Sequence, residues 1–170
     1  SPVATLRPFQ CGGRTEATVR PDPIEAEVLD RYGRGAETAE PGLCCPSGPP
    51  DPELLAHVPA EIVEKDYGCG DPWKWARAGE TVVDLGSGAG KACYVLARIV
   101  GPNGQVIGVD FNDRMLALAR SYQEEVSARL GYRNTRFVKA RIQDLALDLD
   151  REHPGEPLIG DGAADLVISN

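Results

Sequence analysis

The chain is poor in several residue types and patterns, and each shortage removes a class of function. It carries 18 lysines and arginines against 26 aspartates and glutamates, a formal net charge of −8. No basic patch offsets phosphate repulsion, so nucleic acid is not an expected partner. Histidine occurs only twice, at His57 and His153, and the five cysteines form no C-x-x-C spacing, which argues against a zinc site. An odd cysteine count without disulfide-framework spacing points to a reducing, cytoplasmic compartment. No apolar run approaches membrane-spanning length and no signal-peptide pattern opens the chain, so no membrane partner is expected. Internal repeats and low-complexity tracts are also lacking. At 170 residues and 42% hydrophobic, the chain is long enough for one domain with a modest core.

Against these shortages stands one informative run, Thr81-Val82-Val83-Asp84-Leu85-Gly86-Ser87-Gly88-Ala89-Gly90. Val82, Val83 and Leu85 read as a buried strand, and Ala92, Val95, Leu96, Ile99 and Val100 recur at helical spacing beyond it. The glycines between strand and helix suit a turn with positive φ that leaves bare backbone for a ligand to lie against. A dinucleotide fingerprint G-x-G-x-x-G would place its third glycine at position 91, where the chain has Lys91. The pattern present, D-x-G-x-G-x-G, resembles the S-adenosylmethionine (SAM) loop of class I methyltransferases. Such a ligand offers an ammonium in place of a pyrophosphate, and Asp84 suits an ammonium while repelling phosphate.

Gln105-Val106-Ile107-Gly108-Val109-Asp110 follows the predicted helix as a βαβ unit requires. Asp110 ends that strand where a ribose diol would be held, because one carboxylate accepts from two hydroxyls. Phe111 is placed to cover an adenine face. Asn112 and Asp113 cap a helix expected to run through Met115, Leu116, Leu118 and Ala119 to Leu130, with Gly131 as its stop. Thr135 to Lys139 and Ala164 to Asn170 supply two further strands. The order β-α-β-α-β-β argues for an α/β fold with a doubly wound parallel sheet, Rossmann-like and incomplete.

The preceding third lacks this regularity. Residues 1–21 read as a flexible tail and residues 22–78 as a helical and cysteine-loop region before the α/β domain, residues 79–170. Asp22-Pro23 and Asp51-Pro52 are cap-then-proline helix starts, and Pro59 restarts the second helix through Ile62 and Val63. Ile24, Val28, Leu29 and Tyr32 share one face of the first helix. Pro41 to Pro50 forms a loop holding Cys44 and Cys45. Cys93, on the helix after the glycine loop, reads as a packed thiol.

Several motifs together resemble the N-terminal half of the arsenite methyltransferases. They are Arg31-Tyr32-Gly33, Cys44-Cys45, Val58-Pro59-Ala60-Glu61, Asp66-Tyr67-Gly68-Cys69-Gly70, the glycine loop, Cys93-Tyr94-Val95-Leu96, Val109-Asp110 and Val167-Ile168-Ser169-Asn170. The resemblance implies that Asp84, Gly86, Ser87, Gly88, Gly90 and Asp110 contact the methionine and ribose parts of SAM. It implies that Ile142 and Gln143 frame the adenine, Gln143 standing where the family tends to have glutamate. Asn170 would lie beside the ammonium and sulfonium. Cys44, Cys45 and Cys69 would be substrate thiolates or a redox relay, and the substrate would be arsenite or its thiol conjugates, with no resident metal. Trivalent arsenic suits such a site because it is thiophilic and keeps a lone pair able to attack an electrophilic methyl. The sequence stops one residue short of the family's third cysteine. A truncated domain is therefore expected, inactive alone, with an open edge strand that invites pairing with another chain or a homo-oligomer.

Overall fold

A computed structural model describes residues 23–38, 51–68, 70–146, 149–150 and 158–170. Cys11, Cys44, Cys45, Cys69 and His153 lie outside them.

The centre is a four-stranded sheet of β1 (Thr81–Leu85), β2 (Gln105–Asp110), β3 (Thr135–Lys139) and β4 (Leu166–Ser169). All neighbours are parallel, in the order β3-β2-β1-β4. The chain moves outward from β1 to β3 and then returns to the far side of β1. A crevice opens at the strand carboxyl ends where the order reverses, which is where α/β sheets bind ligands.

Alternation along the strands builds two apolar layers. Val82, Val106, Phe137 and Ile168 point to the face that carries the helices. Val83, Ile107, Val109 and Val138 point to the other, which Leu145, Leu158, Ile159 and Ala164 cover. On the helical face lie α1 (Pro23–Glu37), α2 (Pro52–Leu55), α3 (Ala60–Glu64), α4 (Lys91–Val100), α5 (Asp113–Ser121) and α6 (Gln123–Leu130). Ala36, Val58, Ile62 and Trp73 share the core with α4, so the segment before β1 is packed onto the sheet domain. α4 is the most buried helix element, with Cys93, Tyr94, Val95, Leu96 and Ala97 fully inaccessible.

Helix starts follow local chemistry. Asp51 Oδ1 accepts from the Glu53 N–H at 2.9 Å, and Pro52 opens α2. Gly131 stops α6 at φ 83°. The single helix expected from Asp113 to Leu130 is instead two, broken at Tyr122 (φ −98°, ψ 0°). The break has two beneficiaries. Tyr122 Oη reaches the Glu61 carboxylate on α3, and buried Gln123 donates from Nε2 to the Thr135 carbonyl at 2.5 Å.

β4 pairs only with β1 among the described strands, and Val167 is 55% exposed on it. Among the described strands β4 is therefore an edge of the sheet, as the order of elements in the sequence predicts. Among the described residues no helix is long and apolar enough to cross a membrane.

Candidate functional site

At the carboxyl ends of β1 and β2 lies a cavity of about 460 Å³, within the usual size of small-molecule sites, roughly 300–1,000 Å³. It brings together Asp84, Gly86, Ser87, Gly88, Asp110, Phe111, Ile142, Gln143 and Asn170 from the sequence expectations. Gly90 does not line it. Its φ is +88°, and a Cβ there would stand 2.8 Å from the Phe137 ring, so this glycine serves helix-to-sheet packing.

The loop between β1 and α4 is pinned from below. The N–H groups of Gly86 and Ser87 both donate to the Val109 carbonyl, at 2.8 and 2.9 Å. The Gly88 N–H donates to Asp110 Oδ2 at 2.8 Å. Gly86 and Gly88 have φ of +77° and +52°, and a Cβ on either would meet nothing within 4 Å. The backbone therefore lies bare against open space, on a conformation that side-chain-bearing residues resist. Ser87 is 6% exposed, and its Oγ has no hydrogen-bond partner among the described residues.

Two carboxylates face this space from adjacent strands. Asp84 is 2% exposed. Burial raises its carboxyl to about 6, the Cys93 thiol partly opposes this, and the negative charges of Asp66 and Asp110 add to it. Burial also raises Asp110, against the hydrogen bonds donated by the Asn112, Gly88 and Phe111 amides. Desolvated, mutually repelling carboxylates form a site of negative potential suited to a cation.

Cys93 is fully buried, as its packing role required, and its Sγ donates to Asp84 Oδ2 at 3.3 Å. Burial first, and then the Asp84 carboxylate, push this thiol well above the usual range, so it is a poor nucleophile. His57 is buried away from the cavity, with Nε2 2.6 Å from the Tyr94 carbonyl. The two tryptophans, flanking Lys74 in sequence, separate: Trp73 enters the core and Trp75 is 68% exposed.

Other cavity residues were named in the sequence reading only as a helix face or as motif residues, or not at all, and were given no contact with the ligand. Ile24, Val28, Leu29 and Tyr32 of α1 form an apolar wall, and Lys65, Asp66, Tyr67 and Gly68 enter from the segment after α3. Asp66 pairs with Lys91 at the start of α4, tying this segment to the glycine loop. The signal for the wall was present, since four apolar residues share one face of an otherwise polar helix. Nothing local said that the face looked onto a cavity.

Comparison with known proteins bears on the family. Residues 76–170 match the family model described as a methyltransferase domain. The chain belongs to that family. It is also similar in sequence to arsenite methyltransferases, the proteins that the motifs resemble. The arsenite methyltransferase of Aquipseudomonas alcaligenes is 39% identical over 118 residues, 69% of this chain and 31% of the relative. That of Halobacterium salinarum is 49% identical over 122 residues, 71% of this chain and 27% of the relative. The crystal structure of an arsenic (III) S-adenosylmethionine methyltransferase from Chlamydomonas reinhardtii superposes with a TM-score of 0.61 at 38% identity, covering 72% of this chain and 40% of that one. The chain thus spans between a quarter and two fifths of the length of these relatives.

Proposed function

We propose that the cavity binds SAM and that, in the protein to which this domain belongs, the methyl group goes to trivalent arsenic held by cysteine thiolates. The observation that carries the cofactor reading is the convergence of Asp84, Asp110 and the bare backbone of Gly86 and Gly88 on one space. The residues present fit the ligand. Open space beside Gly86 and Gly88 admits a group against the backbone, the Ser87 hydroxyl is buried with no hydrogen-bond partner among the described residues, and the carboxylates favour a cation.

When bound, SAM supplies a methyl group already activated on a sulfonium. The chain's own residues then have holding tasks. Asp84 would accept from the ligand's ammonium. Asp110 keeps acceptor capacity beyond its bonds from the Gly88, Asn112 and Phe111 amides for the ribose hydroxyls. Phe111, Ile142 and Gln143 would frame the adenine, and Asn170 would border the amino-acid end. Apolar side chains of α1 and Met115 line the cavity, and a ligand seated there would cover part of the apolar surface that Ile24 and Val28 expose. The rate gain assigned to the protein is orientation of the reacting groups.

The arsenic reading rests on the relatives and on chain position. Tyr67 and Gly68, which precede Cys69, line the cavity. Cys44, Cys45 and Cys69 are proposed to hold the metalloid as thiolates, so that its lone pair would take the methyl carbon as the sulfonium C–S bond breaks and the neutral thioether leaves with that electron pair. The test is Cys69→Ser in the full-length protein, assayed for arsenite methylation alongside SAM binding. A large loss of methylation with SAM affinity retained is expected. Unchanged methylation would remove the thiolate role and favour a class I methyltransferase for another small molecule.

A further inference from the structure

Asn112 is 6% exposed and makes hydrogen bonds in three directions. Its backbone N–H donates to Asp110 Oδ1 at 2.8 Å. Its side-chain Oδ1 accepts from the Arg114 and Met115 N–H groups at 3.0 and 3.3 Å, capping α5. Its Nδ2 donates to the Leu29 carbonyl of α1 at 3.0 Å. The cap was expected from the sequence; the bond to α1, 83 residues away, was not.

Leu29 lies at the middle of α1, in the half whose Ile24, Val28 and Leu29 wall the cavity. That half is weakly buried, Ile24 being 74% and Val28 41% exposed. Hydrophobic packing therefore fixes its position poorly, and a directional bond from a buried side chain matters more. Gly33, one turn on, permits the approach. A Cβ there would stand 3.2 Å from Arg114 Cδ and 3.6 Å from Asn112 Nδ2. Tyr67 Oη and Arg114 hold the other half of α1, at the Gly35 carbonyl (3.0 Å) and Glu37 (3.4 Å).

We infer that Asn112 is a positioning residue that registers the cavity-facing half of α1 on the same loop that orients Asp110. Through it, displacement of α1 and disturbance of the Asp110 carboxylate are coupled. The effect on ligand affinity rests on the cofactor reading above, whereas the tether itself does not.

The experiment compares Asn112→Ser with the wild-type protein by amide hydrogen exchange and by calorimetric titration with SAM. Serine is as good an N-cap as asparagine but is too short to reach Leu29. The expected result is several-fold faster exchange across residues 23–33, unchanged exchange in α5, and SAM binding weaker by about three- to tenfold, the size of one lost hydrogen bond. Gly33→Val wedges the same interface from the α1 side, leaves the cap intact and is expected to weaken SAM binding likewise. Unchanged α1 exchange in Asn112→Ser overturns the inference, and so does loosening of α1 and α5 together, which would reduce Asn112 to a cap. If the wild-type protein gives no heat with SAM, the cofactor reading fails while the exchange contrast still decides the tether.

Discussion

Asp84, one residue before the end of β1, and Asp110, the last residue of the neighbouring parallel β2, both line one cavity beside the glycine loop. Asp110 also holds that loop in place through the Gly88 amide. Both are held above the ordinary carboxylate range, chiefly by burial. A site with these properties gains most from a ligand that carries positive charge.

The first consequence is a pH dependence of binding. In the ligand-free protein Asp84 titrates at about 6, and a neighbouring ammonium favours its ionised form. SAM affinity should therefore be flat above pH 7 and fall as pH drops through about 6, by up to tenfold per unit. Equilibrium dialysis with labelled SAM between pH 5 and 8 measures it. A profile without a break near 6 would show that Asp84 does not meet the ligand's charge.

The same carboxylate is a burden on the empty fold. Its folded-state value is raised from 3.8 to about 6, so stability attributable to it is lost as pH rises through that interval. Asp84→Asn should stabilise the ligand-free protein by about 1–3 kcal/mol at pH 7.5 and by little at pH 4, while weakening SAM binding. Chemical denaturation at the two pH values checks this.

Gly88 and Gly90 should fail differently when replaced by alanine. Both have positive φ, but a Cβ at Gly88 meets open space and one at Gly90 meets the Phe137 ring at 2.8 Å. Gly90→Ala is expected to cost more than about 2 kcal/mol of stability through strain and overpacking. Gly88→Ala should cost about 1 kcal/mol and chiefly reduce ligand affinity. Melting curves paired with titrations separate the two.

Much of this was legible because the signals are local. A β-branched run, glycines and an amphipathic helix in succession announce a strand, turn and helix within twenty residues, and an acid at the next strand end completes the pattern. Gly90 was grouped with the cavity glycines because spacing alone cannot distinguish a glycine that faces a ligand from one that faces Phe137. The break at Tyr122 was invisible because the partners met there, Glu61 and Thr135, belong to other elements and are distant in sequence. The apolar face of α1 was read correctly as a face, yet its placement over the cavity depends on Asn112 and Tyr67.

Cys93 should be inert in the native fold. It is wholly buried, and burial with the adjoining Asp84 carboxylate raises its thiol well above the usual range. Alkylation at pH 8 followed by peptide mapping should leave Cys93 unmodified until the protein is denatured. Rapid native labelling would contradict the packing described.

The most direct test of the account is a calorimetric titration of the protein with SAM at pH 7.5, run in parallel on Asp110→Ala. Saturable one-to-one binding to the wild type is expected, weakened about 10- to 100-fold by loss of the charge-assisted contacts at Asp110. Binding that Asp110→Ala leaves untouched, or no binding by a folded wild-type protein, would contradict the assignment of this cavity to the cofactor.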